Sequence, residues 1–165
     1  MTINYRQQYN LYACCGITYT HESPRRETEF VFRKITKAAA TIKLGLANEL
    51  QLGNLDARRD WCYAKDAVHA MWLMLQQEQA DDYIIASGET HSVRELVECA
   101  FNCVNLNWQN YVSVDPAFFR PDESVQLVGS IDKIQTKLNW KPQHSFEQLV
   151  ELMVDHDLKQ LRDNA

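Results

Sequence analysis

Glycine is scarce, with 5 in 165 residues, and nowhere does the chain form G-x-G-x-x-G or G-x-x-x-x-G-K-[ST]. The backbone cradle that such loops offer to phosphate is therefore missing. No apolar run approaches the roughly 20 residues needed to span a bilayer, and the opening Met1-Thr2-Ile3-Asn4-Tyr5-Arg6 lacks the apolar core of a signal peptide. A cytoplasmic location with no membrane partner is the expectation. Positive charge is also short: 17 Lys and Arg against 22 Asp and Glu leave a net charge of -5, which argues against a nucleic-acid partner. A local arginine cluster could still hold an anion. The five cysteines include no C-x-x-C pair, so a disulfide framework is not expected. Cys99 and Cys103, four apart on a predicted helix, lack neighbours to complete a metal-ligand set. Core packing is the favoured reading for the cysteines, and no metal is expected. Finally there is no G-x-S-x-G, no H-E-x-x-H, and no third group for the neighbours His21 and Glu22. No catalytic residue is assigned, and the chain reads as a ligand-binding half rather than a complete catalyst.

What is present is the composition of a globular protein, 45% hydrophobic and 24% charged. A helix from Met1 to about Tyr9 precedes the near-continuous apolar stretch Leu11 to Tyr19, the pattern of a strand buried on both faces. The polar loop Thr20 to Arg26 follows at the edge where open α/β sheets bind ligands. Helices are predicted over Glu29–Leu46, Ala64–Gln77, Ser92–Val104, Ile131–Leu138 and Phe146–Leu161. Val68, Met71, Trp72 and Leu75 form the expected apolar face of the second of these. Ser92 and Glu95 have capping-box spacing, and Ser145 is an N-cap candidate. Short strands at Leu50–Gly53, Asp82–Gly88 and Tyr111–Val114 make the class α/β. No repeat or linker divides residues 1–165, which read as a single unit.

Three loops carry arginine: Arg25-Arg26, Arg58-Arg59, and Arg120 between Phe119 and Pro121. A guanidinium is a planar fork of donors suited to phosphate, and Glu123 beside Arg120 is able to accept from sugar hydroxyls. Spacing does not show that these loops converge. His21 is a candidate by residue type, although a lone loop histidine is more often structural. Asp66, at a helix start, is read as structural.

The strings HESPRR (21–26), RKITKAAA (33–40), LGNLDARRDWCYAKDAV (52–68), MLQQEQADDYIIASG (74–88), SVRELVE (92–98) and FFRPDE (118–123) closely resemble the GDP-mannose 4,6-dehydratase family, extended short-chain dehydrogenase/reductases. The resemblance covers essentially the whole chain and corresponds to the carboxyl-terminal half of that family. It implies the last sheet strands of a Rossmann-like NAD(P)-binding fold with the small α/β substrate-binding lobe, a truncated unit. It also implies NADP as cofactor and GDP-mannose or a related nucleotide sugar as ligand, with elimination of water to GDP-4-dehydro-6-deoxy-mannose. By the same resemblance His21 and Arg26 contact NADP, while Lys34, Arg59, Arg120 and Glu123 bind the nucleotide sugar. The family's catalytic Tyr-x-x-x-Lys does not occur here, so activity would need a separate amino-terminal half; a homo-oligomer is a further expectation. The alternatives are a non-catalytic nucleotide-sugar-binding module and an inactive gene remnant. The chain departs from the family at Thr20, where Asn is usual, and at Glu27, Cys62 and Asn139, where Gly is usual. Those substitutions put in question any position needing positive φ.

Overall fold

A computed structural model describes residues 1–119 and 127–163. Its order is α1 (Thr2–Tyr9), β1 (Cys15–Thr18), β2 (Thr20–Glu22), α2 (Val31–Lys43), β3 (Leu50–Leu52), β4 (Arg58–Arg59), β5 (Trp61–Tyr63), α3 (Ala64–Met74), β6 (Asp82–Ile85), β7 (His91–Ser92), α4 (Val93–Cys103), β8 (Val112–Val114), α5 (Asp132–Leu138) and α6 (Phe146–Asp163). The helical periodicity of α2, α4 and α6 brings their apolar stripes together. Phe32, Ile35 and Ala39 pack with Leu96, Val97, Phe101, Leu149, Val150 and Met153. A second core joins Ala67, Ala70 and Met74 of α3 to Tyr83, Ile85, Ile134, Leu138 and Trp140. Across the first core, Arg33 of α2 forms a buried ion pair with Asp157 of α6, and Thr36 donates to the same carboxylate at 3.0 Å.

Local signals set the helix starts. Ser92 accepts from the Glu95 backbone N–H at 3.1 Å while Glu95 accepts from the Ser92 N–H at 3.1 Å, the reciprocal box its spacing predicts. Ser145 does the same with Gln148, accepting at 3.3 Å and donating its N–H at 2.9 Å. Asp66 is structural as expected: its buried carboxylate accepts from the Gln143 and His144 N–H groups at 3.0 and 3.1 Å. Asp60, also buried, binds four donors, the N–H and Oγ of Ser87 and the N–H groups of Gly88 and Gly129.

The strands pair as β1 with β6, β2 with β5 and β3 with β8, all parallel, and β4 with β7 antiparallel. The apolar stretch 11–19 is not one strand buried on both faces. Only Cys15–Thr18 pairs with β6; at Tyr19, whose N–H donates to the Ile85 carbonyl, the chain changes neighbour and β2 runs along β5. Ile17 is 55% exposed, and Leu11 and Tyr12 are exposed too. A strand reads as continuous apolar sequence when layers cover both faces, and the described residues supply one. The expected face of α3 is likewise reversed. Val68 and Trp72 are 62% and 56% exposed, with Met71 and Leu75 beside them, while the small Ala67 and Ala70 with Met74 face the core. A helix apolar all round has no single stripe for periodicity to select.

The glycine replacements prove compatible with the backbone. Asn139 ends α5 at φ 51, in the left-handed region, which Asn tolerates better than most side chains. Cys62 and Glu27 are not among the positive-φ residues, so their side chains meet no such strain. Cys62 is buried as expected of a core thiol, pushed up to about 12 by burial, but Cys103 is exposed and the other three are half-buried.

Candidate functional site

Side chains alternate across a strand, so on β2 Thr20 and Glu22 face one way and His21 the other. Thr20 and Glu22 enter a cleft of about 560 Å³ that Arg26, Lys34, Arg59 and Trp61 also line. Phe30 and Phe118 line it with Trp61, and Trp61 is anchored in the core, edge-on to Phe32 at 5.4 Å and stacked on Phe146 at 6.0 Å. The predicted cations Arg26, Lys34 and Arg59 thus converge from three separate segments. His21 does not line the cleft; its Nδ1 lies 3.2 Å from the Tyr19 carbonyl oxygen. Arg120 and Glu123 lie outside the described residues, but Phe118, two positions earlier, lines the cleft. There Gly53 is needed for close approach, since a Cβ would sit 2.6 Å from the Phe118 carbonyl oxygen.

Each arginine pair divides its labour. Arg25 is exposed, whereas Arg26 reaches the cleft. Arg58 is spent on structure, donating to the Thr90 carbonyl at 2.5 Å and to Glu95 at 3.1 Å; Arg59 lines the cleft and donates to the Arg58 carbonyl at 2.7 Å. Lys34 donates to the Gln51 carbonyl at 2.6 Å with its ammonium 4.9 Å from the Phe118 ring centre. Among the described residues no group of three or more His, Cys, Asp or Glu side chains could hold a metal ion.

Sequence reasoning missed Glu22 and Phe30 as members of this site. Glu22 is only 2% exposed and lies 3.5 Å from Arg26, whose guanidinium stacks 3.4 Å from the Phe30 ring centre. No spacing signal marks them, because residues 23–30 form turns rather than a helix. Neither Glu22 Oε2 nor Arg26 Nε has a hydrogen bond, although both are buried. Burial raises the Glu22 carboxyl from the usual 4.5 to about 7, against the opposing charge of Arg26. The folded protein therefore holds a proton here that the unfolded chain gives up, so this group's contribution to stability falls as pH rises from about 4.5 through 7. The loss is roughly 3 kcal/mol at most. Glu22→Gln, neutral at every pH, is expected to be more stable than wild type at pH 8 and to lose that advantage near pH 5. Urea midpoints at the two pH values measure it; equal differences would contradict the assignment.

The chain is similar to known proteins over most of its length. The family model described as GDP-mannose 4,6 dehydratase matches residues 1–153. The chain belongs to the GDP-mannose 4,6-dehydratase family. A relative from Arabidopsis thaliana, GDP-mannose 4,6 dehydratase 1, is 52% identical over 158 residues, covering 96% of this chain and 44% of its own length. One from Cricetulus griseus is 45% identical over 181 residues, covering 99% of this chain and 49% of the relative. The chain thus spans about half the length of the curated relatives it matches. Among solved structures, RMD from Pseudomonas aeruginosa, complexed with NADPH, superposes with a TM-score of 0.85 at 22% identity, over 96% of this chain and 52% of that one. A dTDP-glucose 4,6-dehydratase from Bacillus anthracis, solved with NAD, gives 0.80 at 18% identity, over 98% of this chain and 49% of that one. These likenesses establish the Rossmann-like α/β fold that the resemblance implied.

Proposed function

We propose that this chain is the nucleotide-sugar-binding half of a cytoplasmic, NADP-dependent GDP-mannose 4,6-dehydratase, a lyase that converts GDP-mannose to GDP-4-dehydro-6-deoxy-mannose and water. The observation that carries this reading is the convergence of Arg26, Lys34 and Arg59 on one cleft that Phe30, Trp61 and Phe118 also line. Guanidinium forks pair with diphosphate oxygens, and Trp61 and Phe118 offer apolar surface to the rest of a nucleotide. Arg120 and Glu123, beyond Phe118, complete the assignment by resemblance.

NADP, when bound, supplies the acceptor and donor of hydride. In this chain Arg26 is the residue that would pair with its phosphate, and its buried Nε without a hydrogen bond fits that task; His21 stands on the other face of β2 as a second contact. Arg26 lines the same cleft as Lys34 and Arg59, so the cofactor and sugar sides of the site adjoin at this residue. The acid/base pair that moves the sugar's protons is absent from the chain, which contains no Tyr-x-x-x-Lys. Catalysis then requires a complementing amino-terminal half. The exposed apolar residues of α3 and β1 support that requirement, because an additional polypeptide layer would cover them. The same missing pair favours the second reading, a nucleotide-sugar-binding module without turnover.

The test is calorimetry with GDP-mannose, followed by a turnover assay with NADP, first alone and then with the unmatched amino-terminal half of the Arabidopsis relative. Saturable binding, no turnover alone and turnover on complementation are expected. Binding without turnover in either condition would favour the module, and absence of binding would overturn both. Arg59→Ala is expected to weaken GDP-mannose binding by about 1.5 to 3 kcal/mol, the loss of one charge-assisted contact. The same calorimetry checks it, and unchanged affinity would remove Arg59 from the site.

A further inference from the structure

We infer that Glu22 is a positioning residue for Arg26, and that its charge decides whether the guanidinium is paired internally or offered to an anionic ligand. The inference rests on the reading of the cleft as an anion site. Arg26 is held on two sides, its face by Phe30 at 3.4 Å and its Nε edge by Glu22 at 3.5 Å. The pair is close enough to attract but lacks hydrogen-bond geometry, which leaves Glu22 Oε2 and Arg26 Nε unsatisfied in a buried place. Unsatisfied buried atoms of opposite charge at one cleft wall constitute a contact ready to exchange partners. An incoming anion would take Arg26 from Glu22, and Glu22 would then keep a proton.

Other charged groups lining this cleft are Glu29 and Lys34, from the entry to α2 and α2 itself, and Arg59 on β4. His21 belongs to the opposite face of β2, and Tyr63 on β5 pairs in register with Glu22. Of these, Arg26 is the one whose charge acts on Glu22, and burial places the carboxyl near 7. Below that pH Glu22 is neutral and Arg26 presents an uncompensated positive charge; above it the pair forms and competes with the ligand. Anion binding therefore takes up a proton, and affinity falls as pH rises, by up to about tenfold per pH unit above the midpoint.

The first readout needs no ligand. The Nε–H resonance of Arg26, followed by NMR from pH 5.5 to 8.5, is expected to shift with a midpoint near 7 in wild type and to stay constant in Glu22→Gln. The second uses sulfate, whose own charge is fixed over this range. Its dissociation constant is expected to rise with pH in wild type and to remain at the low-pH value in Glu22→Gln. A purely structural Glu22 would move neither profile. An Arg26 resonance that does not titrate in wild type, or a sulfate profile that persists in Glu22→Gln, would overturn the inference. Failure of GDP-mannose to bind while Arg26 still titrates and sulfate binding stays pH-linked would instead count against the nucleotide-sugar reading, so the two fail separately.

Discussion

Asp157→Ala is expected to lower the unfolding free energy by about 3 to 5 kcal/mol, because it leaves the Arg33 guanidinium buried without its counter-charge. Arg33 and Asp157 are both buried between α2 and α6, with Thr36 donating to the second carboxylate oxygen. Arg33 Nε has no hydrogen bond even with Asp157 present. Burial also outweighs the attraction of Arg33, raising the Asp157 carboxyl above its usual range. The intact pair thus contributes little net stability, whereas either partner alone is costly. The double replacement Arg33→Met with Asp157→Leu, which removes both charges and keeps volume, is expected to recover most of the loss. Urea denaturation of the wild type, both single variants and the double variant measures this. A single variant within 1 kcal/mol of wild type would contradict the account, as that is the range of exposed pairs.

Asp60→Ala is the second large effect, about 3 to 5 kcal/mol, since hydrogen bonds to a charged group are worth about 1.5 to 3 each and orphaned buried donors add their own cost. One oxygen takes the Ser87 N–H and Oγ, both at 2.7 Å; the other takes the Gly88 and Gly129 N–H groups at 3.2 and 3.1 Å. Asp60→Asn does not rescue the site, because its amide nitrogen would face N–H donors on one side. Asp60 lies between Arg59 and Trp61, both of which line the cleft, so the variant is expected to loosen ligand binding as well. Denaturation midpoints, with amide exchange at Gly88 and Gly129, check it; unchanged protection at both glycines would show that the carboxylate is not what holds them.

Capping at Ser92 and Ser145 is legible because it depends on neighbours three positions away. The core faces of α2, α4 and α6 are legible because each helix has one apolar stripe. For α3 the large residues Val68, Trp72 and Leu75 outweigh Ala67 and Ala70 in any hydropathy reading, yet the small alanines pack against the core. The stretch 11–19 is deceptive for a related reason: a continuous apolar run implies two covered faces, whereas Leu11, Tyr12 and Ile17 are exposed among the described residues. At the cleft, residue type points to the arginine-bearing loops, since phosphate chemistry favours guanidinium, whereas only the family resemblance singles out Arg26 and Arg59 within their pairs and adds Lys34. In the sequence Glu22 is only a neighbour of His21 without a third group to complete a catalytic set, and its shifted proton affinity comes from burial beside β5, which no local pattern discloses. The resemblance names His21 as an NADP contact, and strand alternation turns it away from this cleft.

The central claim is that Arg26, Lys34 and Arg59 share one anion-holding cleft, with Lys34 and Arg59 on its nucleotide-sugar side and Arg26 on its cofactor side. Calorimetric titration of GDP-mannose into the wild-type chain, Arg59→Ala and the surface control Arg25→Ala tests it most directly. The account predicts saturable binding with one site, weakened by about 1.5 to 3 kcal/mol in Arg59→Ala and unchanged in Arg25→Ala. Equal affinity in all three proteins, or no saturable binding to a folded wild-type chain, would contradict it.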